Sequence, residues 1–307
     1  MRGAGVAELI SIIVATYNRP DALDAVVRSL AGQTDREFEV IVADDGSGPD
    51  TRRVVDTWIP RIGVRLLHVW QTDTGFRLAE IRNRAIQHSR GQICIFIDGD
   101  CLVRPDFVAV HRRLAEPNWF VAGNRVLLGP ALTERVLRQK LQPEKWPLAA
   151  WRAAWRRGEV NRLLPLVSLP LGPLRKARAH AWARAKGTNL AIRRDDLLRV
   201  DGFDGAYQGW GREDSDIVVR LIRCGVLCKD GRFASGVLHL WHRENDRSQM
   251  MQNDRRLADV IAEQRVWATQ GLSTLTPEDR SGPTASPEAA HSAAVAPRVP
   301  REGGRTA

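Results

Sequence analysis

Ile95-Phe96-Ile97-Asp98-Gly99-Asp100 is an apolar run that ends in two carboxylates with one glycine between them. A buried strand delivering Asp98 and Asp100 at its carboxyl end suits a hard divalent cation, Mn²⁺ or Mg²⁺, which takes oxygen ligands and is readily shared with a diphosphate. Alone, an Asp-x-Asp is a weak signal; its place after a fully apolar strand gives it weight. Further short apolar runs occur at Leu9–Thr16, Phe38–Ala43, Val64–Val69 and Gln92–Ile97, with amphipathic stretches such as Pro20–Leu30 and Leu78–His88 between them. Pro20 and Asp21 suit a first helical turn. Strand and helix alternating at this spacing predict βαβ units. The fold class is therefore α/β, with a mostly parallel sheet whose strand carboxyl ends carry the function.

Beyond this region the pattern changes. From Gly129 to Lys186 the chain reads as basic, tryptophan-bearing helices broken by Pro143, Pro147, Pro165, Pro170 and Pro173. A strand over Thr188–Ile192 returns to the core, and helices are expected from near Glu213 and over Ser248–Ala268. After Gly271 the sequence is rich in Pro, Ala, Ser and Arg without hydrophobic periodicity, the composition of a disordered tail. The run Leu9–Ala15 is too short to span a bilayer and lacks the flanks of a secretory signal, so the expected compartment is the cytoplasm. Cys94, Cys101, Cys224 and Cys228 form neither a CxxC pair nor a zinc-ligand spacing and read as reduced structural thiols.

The 307-residue chain carries a net charge of +10. Between Ala131 and Lys186, thirteen Arg and Lys residues face only Glu134, Glu144 and Glu159, so this segment alone accounts for a charge equal to that of the whole. Such a patch attracts phosphates of any origin. Trp146, Trp151, Trp155 and Trp182 punctuate it, and Trp with Arg on amphipathic helices suits an anionic membrane surface, peripheral rather than spanning. The plainer alternative is a solvated lid over the cleft. No nucleic-acid-binding motif accompanies the patch.

Three more stretches carry chemistry. Val14-Ala15-Thr16-Tyr17-Asn18-Arg19-Pro20 and Val42-Ala43-Asp44-Asp45-Gly46-Ser47 follow the first two strands, where a doubly wound sheet holds a nucleotide. Tyr17 there offers a face for a base, and Asp45 an acceptor for a base N–H. Gly209-Trp210-Gly211-Arg212-Glu213-Asp214 places a flat ring for a sugar beside two acids that open a helix, where the dipole keeps a carboxylate ionised and able to act as general base. Val237-Leu238-His239-Leu240-Trp241-His242 ends another strand in imidazoles. Two histidines three apart do not share one face of an extended strand, so a single metal ligand is expected there, His239 by preference.

These stretches in this order, with Gly75-Phe76-Arg77-Leu78-Ala79-Glu80-Ile81-Arg82-Asn83 and Gly187-Thr188-Asn189-Leu190-Ala191, resemble the family 2 glycosyltransferases of GT-A fold. The later half resembles the galactosyltransferase C-terminal region of chondroitin-polymerase-like and β-1,4-galactosyltransferase-like enzymes. The resemblance implies a Rossmann-like central sheet flanked by helices, with the basic helices as an insert. It divides the chain into a nucleotide-sugar-binding half (1–128), the insert (129–186), an acceptor-binding and catalytic half (187–270) and a tail (271–307). It also implies metal-dependent, inverting transfer of a hexose or N-acetylhexosamine from a UDP-sugar to a glycan or lipid-linked glycan, as in surface polysaccharide or lipopolysaccharide synthesis.

Carried over by residue, the resemblance gives the donor Thr16, Tyr17, Arg19, Asp44, Asp45, Arg77, Arg82, Asp98 and Gly99. The metal would take Asp98, Asp100 and His239, with His242 as the alternative to the last. The acceptor would meet Gly209, Trp210, Glu213 and Asn189, and Asp214 would be the catalytic base. Arg212 departs from the pattern, standing where relatives often have glycine. A sugar-nucleotide nucleotidyltransferase is the enzymatic rival, but its glycine-rich phosphate loop is missing after the first strand. A non-catalytic glycan- or lipid-binding scaffold is the other, against which the joint retention of Asp98, Asp100 and Asp214 speaks.

Overall fold

In the computed structural model, which describes residues 8–244 and 246–275, the early apolar runs become strands buried on both faces. Along the chain run β1 (Ile10–Thr16), α1 (Pro20–Ala31), β2 (Phe38–Asp44), α2 (Pro49–Trp58), β3 (Leu66–Trp70), α3 (Leu78–His88) and β4 (Ile93–Asp98). Next come β5 (Cys101–Leu102), α4 (Phe107–Leu114), β6 (Trp119–Ala122), β7 (Arg125–Leu127), α5 (Pro130–Arg138) and α6 (Leu148–Arg156). Then follow β8 (Asn189–Arg193), α7 (Arg194–Arg199), α8 (Glu213–Arg223), β9 (Leu227–Asp230), β10 (Val237–His239) and α9 (Met250–Glu263).

Seven strands form the main sheet in the order β3-β2-β1-β4-β8-β6-β9. β1 to β4 are mutually parallel, β6 and β9 are parallel to each other, and β8 alone runs against its neighbours. Period-two alternation sorts each strand between two cores. Ile10, Ile12 and Val14 join Val40, Val42, Ile95 and Ile97 against α1, α2 and α4. Ile13 joins Ile41, Cys94 and Phe96 against α3, α7 and α8. The result is a three-layer αβα sandwich, the arrangement that lets a parallel strand be apolar throughout. A small second sheet, β5-β10-β7, sits beyond the carboxyl end of β4.

The basic insert is anchored rather than appended. Leu132 and Val136 of α5 and Trp151 of α6 share a third core with Ala22 and Ala25 of α1 and with Leu102, Val126 and Leu238 of the small sheet. This corrects the expectation that its tryptophans face a membrane together: Trp151 is buried, Trp146 packs on it with ring centroids 5.2 Å apart, and Trp182 lies between two core clusters. Trp155 alone of the four is exposed. Arg175 is also structural, its guanidinium donating to the carbonyls of Asp230, Arg232 and Leu169 at 2.7–2.9 Å. The first residues of the expected tail are folded. Residues 271–275 fold back as a short 3-10 turn that buries Leu272 and Leu275 in the second core, and the remainder, 276–307, lies outside the described residues. No helix among the described residues is long and apolar enough to cross a membrane.

α8 is fastened from within. Arg220 and Asp216 are both fully buried and paired at 2.6 Å, and Arg220 also donates to the carbonyl of Gly202 at 2.9 Å. Exposed pairs such as Arg53–Asp50 contribute little by comparison. Removing one partner of a buried pair strands the other's charge, so Arg220→Met is expected to cost about 3–5 kcal/mol of stability. A shift of the denaturant midpoint, at unchanged slope, measures it.

Candidate active site

The parallel strands end on one side of the sheet, and the loops leaving them surround a cleft of about 1730 Å³. Its lining includes Thr16, Tyr17 and Arg19 after β1, Asp45 after β2, and Asp98, Gly99 and Asp100 at the end of β4. Arg77 and Arg82 of the α3 region, Gly209 to Asp214 at the start of α8, and His239 and His242 at the end of β10 complete it. Asp100 and Asp214, from distant stretches of chain, thus face one space. Glycine at position 99 is a steric requirement, since a Cβ there would lie 2.9 Å from the Ala15 carbonyl oxygen.

At the donor-side end, Asp45 accepts hydrogen bonds from the Arg77 backbone N–H at 2.8 Å and from Gln71 at 2.5 Å. Burial pushes its carboxyl up to about 6, against the pull of those donors. Tyr17 is exposed and donates to Asp73 at 2.8 Å, Arg19 pairs with Asp21 at 3.0 Å, and Arg77 pairs with Glu80 at 2.9 Å. Thr16 Oγ1 is buried without a partner among the described residues. Two of the expected residues are not in the cleft. Asp44, at the end of β2, holds the Ser47 N–H at 2.8 Å and His68 at 2.9 Å. Asn189 is buried in β8, its amide donating to the carbonyls of Ser235 and Asn124. The Asp44 carboxylate is engaged by the Ser47 N–H and the His68 ring, and the Asn189 amide by backbone carbonyls.

Asp98, Asp100, Cys101 and His239 bring ligand atoms within 4.8 Å of one another. Two carboxylates and an imidazole fit a Mn²⁺-like cation, whereas burial raises the Cys101 thiol well above its ordinary range and keeps it protonated. Burial lowers His239, although Asp100 pulls the other way, so the ring is biased to the neutral form that ligates metal. Of the two imidazoles at the end of this strand, His239 belongs to the cluster. β10 ends at His239, the chain stops being extended, and both His239 (3.3 Å) and His242 (3.5 Å) reach Asp100.

The two acids that open α8 differ sharply. Glu213 is buried and bonded at 3.2 Å to Arg82, a guanidinium whose other arm holds Asp98 at 3.2 Å. Burial, with repulsion from Asp214, raises the Glu213 carboxyl. Asp214 is more open, accepting the Gly187 N–H at 3.1 Å and the Ser215 hydroxyl at 3.3 Å. Among the described residues no arginine or lysine pairs with Asp214, whereas Glu213 is held by Arg82.

The turn before it is strained: Gly209, Gly211 and Arg212 all have positive φ, and at +79° Arg212 occupies a conformation that favours glycine. Asn253 of α9 holds this turn by donating to the Gln208 and Gly211 carbonyls, each at 3.0 Å, while Arg212 reaches Asp254 at 2.5 Å. Arg247 stacks on Trp210 with its guanidinium carbon 4.9 Å from the ring centroid. Asn253 and Arg247 were not legible as site residues, because nothing local in sequence pairs α9 or the 240s with the Gly-Trp-Gly turn.

A model of glycosyl transferase family 2 matches residues 11–167, just over half of the chain. The chain belongs to glycosyl transferase family 2. A second model, described as the N-terminal domain of galactosyltransferase, matches residues 176–242, the half that carries the Gly-Trp-Gly turn and the histidines. Among curated relatives, validoxylamine A glucosyltransferase of Streptomyces hygroscopicus subsp. jinggangensis (strain 5008) is 30% identical over 277 residues, covering 85% of this chain and 63% of its own. Chondroitin synthase of Pasteurella multocida (strain Pm70) is 26% identical over 239 residues, covering 73% of this chain and 24% of its own. The chain therefore spans less than two thirds of these relatives' length. The crystal structure of GalNAc-T7 with UDP, GalNAc and Mn²⁺ superposes with a TM-score of 0.59 at 18% identity, over 83% of this chain and 48% of that one. The likeness identifies the fold as GT-A.

The Asp45 carboxyl ties stability to pH. Held at about 6 in the fold against an ordinary 3.8, it binds its proton more tightly folded than unfolded. Its contribution to stability must therefore fall as pH rises from about 4 to about 6. Urea midpoints across that window should decline more steeply for the native chain than for Asp45→Asn, which has no proton to lose.

Proposed function

We propose that the chain is a metal-dependent, inverting glycosyltransferase. It moves a hexose or N-acetylhexosamine from a UDP-sugar to a hydroxyl of a glycan or lipid-linked glycan, of the surface-polysaccharide or lipopolysaccharide kind. One observation carries the reading: Asp100, suited to a cation, and Asp214, suited to a proton, line the same cleft at the carboxyl ends of the parallel strands.

In this reading Thr16, Tyr17, Arg19 and Asp45 hold the uridine end of the donor. The carboxylate of Asp45 has lone pairs to spare beyond its two internal bonds. Arg77 and Arg82 border the donor, and Arg82 fixes Asp98 in place. Asp98, Asp100 and His239, with His242 beside them, would hold Mn²⁺ or Mg²⁺. A cation bound there acts as a Lewis acid that stabilises charge on the departing diphosphate. Trp210 offers its ring to a sugar, and Gly209 lets the backbone pass close to it. Glu213, engaged by Arg82, shapes the acceptor end.

Asp214 takes the proton of the acceptor hydroxyl as that oxygen bonds to the anomeric carbon. The bond from that carbon to the diphosphate oxygen breaks on the opposite face, so the anomeric centre inverts. Asp214 stands in the first turn of α8, where the helix dipole interacts favourably with an acidic side chain.

Purified protein incubated with Mn²⁺, simple glycosides and a panel of UDP-hexoses and UDP-N-acetylhexosamines should release UDP from at least one donor, with GDP-mannose as the contrasting nucleotide. Asp214→Asn is expected to lower kcat about 10²–10⁴-fold, the usual worth of a general base, while leaving donor affinity unchanged by calorimetry. Undiminished turnover in that variant would remove Asp214 from its role. Separately, Asp100→Asn should abolish the Mn²⁺ dependence of donor binding as well as turnover. A variant that still needed Mn²⁺ in the same concentration range would move the metal elsewhere.

A further inference from the structure

The insert presents a surface that its anchoring role does not explain. Trp151 and Ala154 turn α6 inward, which leaves Leu148, Arg152 and Trp155 on its outer side at the i, i+4, i+7 spacing of one helical face. Leu148 is 53% and Trp155 51% exposed, and Arg152 and Arg156 flank them in solvent. The chain beyond α6 bridges back to Leu128 through Val160 and then exposes Arg162 and Leu164, the latter 63% accessible. Val160, Leu163 and Leu166 pack in the same core as Trp151, so helix and turn are clamped to one support.

Charge on this surface has one sign. No acid occurs from Leu148 to Gly158, and the next, Glu159, is consumed by Arg135 and Arg157 at 2.8 Å each. Among the described residues no carboxylate pairs with Arg152 or Arg156. Protruding Leu and Trp ringed by unpaired Arg suit the boundary of an anionic bilayer, where the rings and aliphatic chains enter the acyl region and the guanidinium groups meet lipid phosphates. A soluble acidic protein would match the arginines but would not require the protruding apolar side chains.

We infer that the outer face of α6, with the Arg162–Leu164 turn, docks on an anionic lipid surface. The inference rests on the glycan-acceptor reading only for its purpose. Thr133, Glu134 and Leu137 of α5, on the inner side of the same insert, line the cleft, so a docked insert would hold the cleft beside a membrane-borne acceptor.

Vesicle co-sedimentation of the full chain tests it, using phosphatidylcholine alone and phosphatidylcholine mixed with phosphatidylglycerol, at low and high salt. The chain should partition onto the mixed vesicles at low salt, weakly onto the neutral ones, and be released by salt. Each arginine at an anionic surface is worth about fivefold in partition, so R152E/R156E together should lower it more than about 25-fold. Trp155→Ala should weaken the residual, salt-resistant part. Melting temperature and UDP release with a soluble acceptor should be unchanged in these variants, since none of the three residues lines the cleft.

Absence of binding by the native chain, or equal binding to both vesicle types, would overturn the proposal. So would R152E/R156E or Trp155→Ala converting a dimer to a monomer in solution, which would give the face to a second copy. Vesicle binding without sugar transfer would instead count against the glycosyltransferase reading and leave the docking surface standing.

Discussion

Arg82 lies between two carboxylates that come from opposite halves of the chain, and the cleft is organised around it. Its side chain is 1% exposed, and its guanidinium bonds Asp98 at the end of β4 and Glu213 at the start of α8. It also reaches the Gly187 carbonyl at 3.3 Å and rests on the Phe203 ring. Without a buried cation there, Asp98, Asp100, Glu213 and Asp214 would crowd one space with uncompensated negative charge. Two like charges about 4 Å apart repel by about 4 kcal/mol at the effective dielectric of a protein site. One arginine offsets that between the halves, and a divalent cation is suited to offset it between Asp98 and Asp100.

The same interaction separates two adjacent acids into different roles. Glu213 is committed to Arg82, while Asp214, one residue on, bonds among the described residues a backbone N–H and a neighbouring hydroxyl. Asn253 and Arg212 then tie the preceding turn to α9, so the strain of a non-glycine at positive φ is supported from outside the turn. The turn that leads into Asp214 is thus held by direct contacts from α9. Trp210 cannot swing freely either, because Arg247 covers one of its faces.

Much of this was legible in sequence because it depends on local order along the chain. Apolar runs that end in Asp98-Gly99-Asp100 and in Asp44-Asp45 announce parallel strands with function at their carboxyl ends, and α3 occupies the stretch Leu78–His88 that its pattern marked. The misreadings share a cause. Asp44 and Asp45 are neighbours in sequence but only Asp45 lines the cleft, and composition cannot say which of the two turns that way. His239 joins the ligand cluster as its strand pattern suggested, but the approach of His242 to Asp100 was not legible, because it depends on the strand stopping at His239. Three of the four insert tryptophans looked amphipathic and interfacial, yet found partners in cores built from α1, α8 and the small sheet.

The sequence by itself determined the layers, the strand ends and the kinds of side chain that gather at them, because periodicity and turn chemistry act over a few residues. Only the tertiary structure decided the pairings, since Arg82 meets Glu213 across 131 positions of chain and Asn253 meets Gly211 across 42. Whether an acid is neutralised or left free for chemistry depends on which distant charge lies within about 3 Å of it. That distance is a property of packing, which no local pattern encodes.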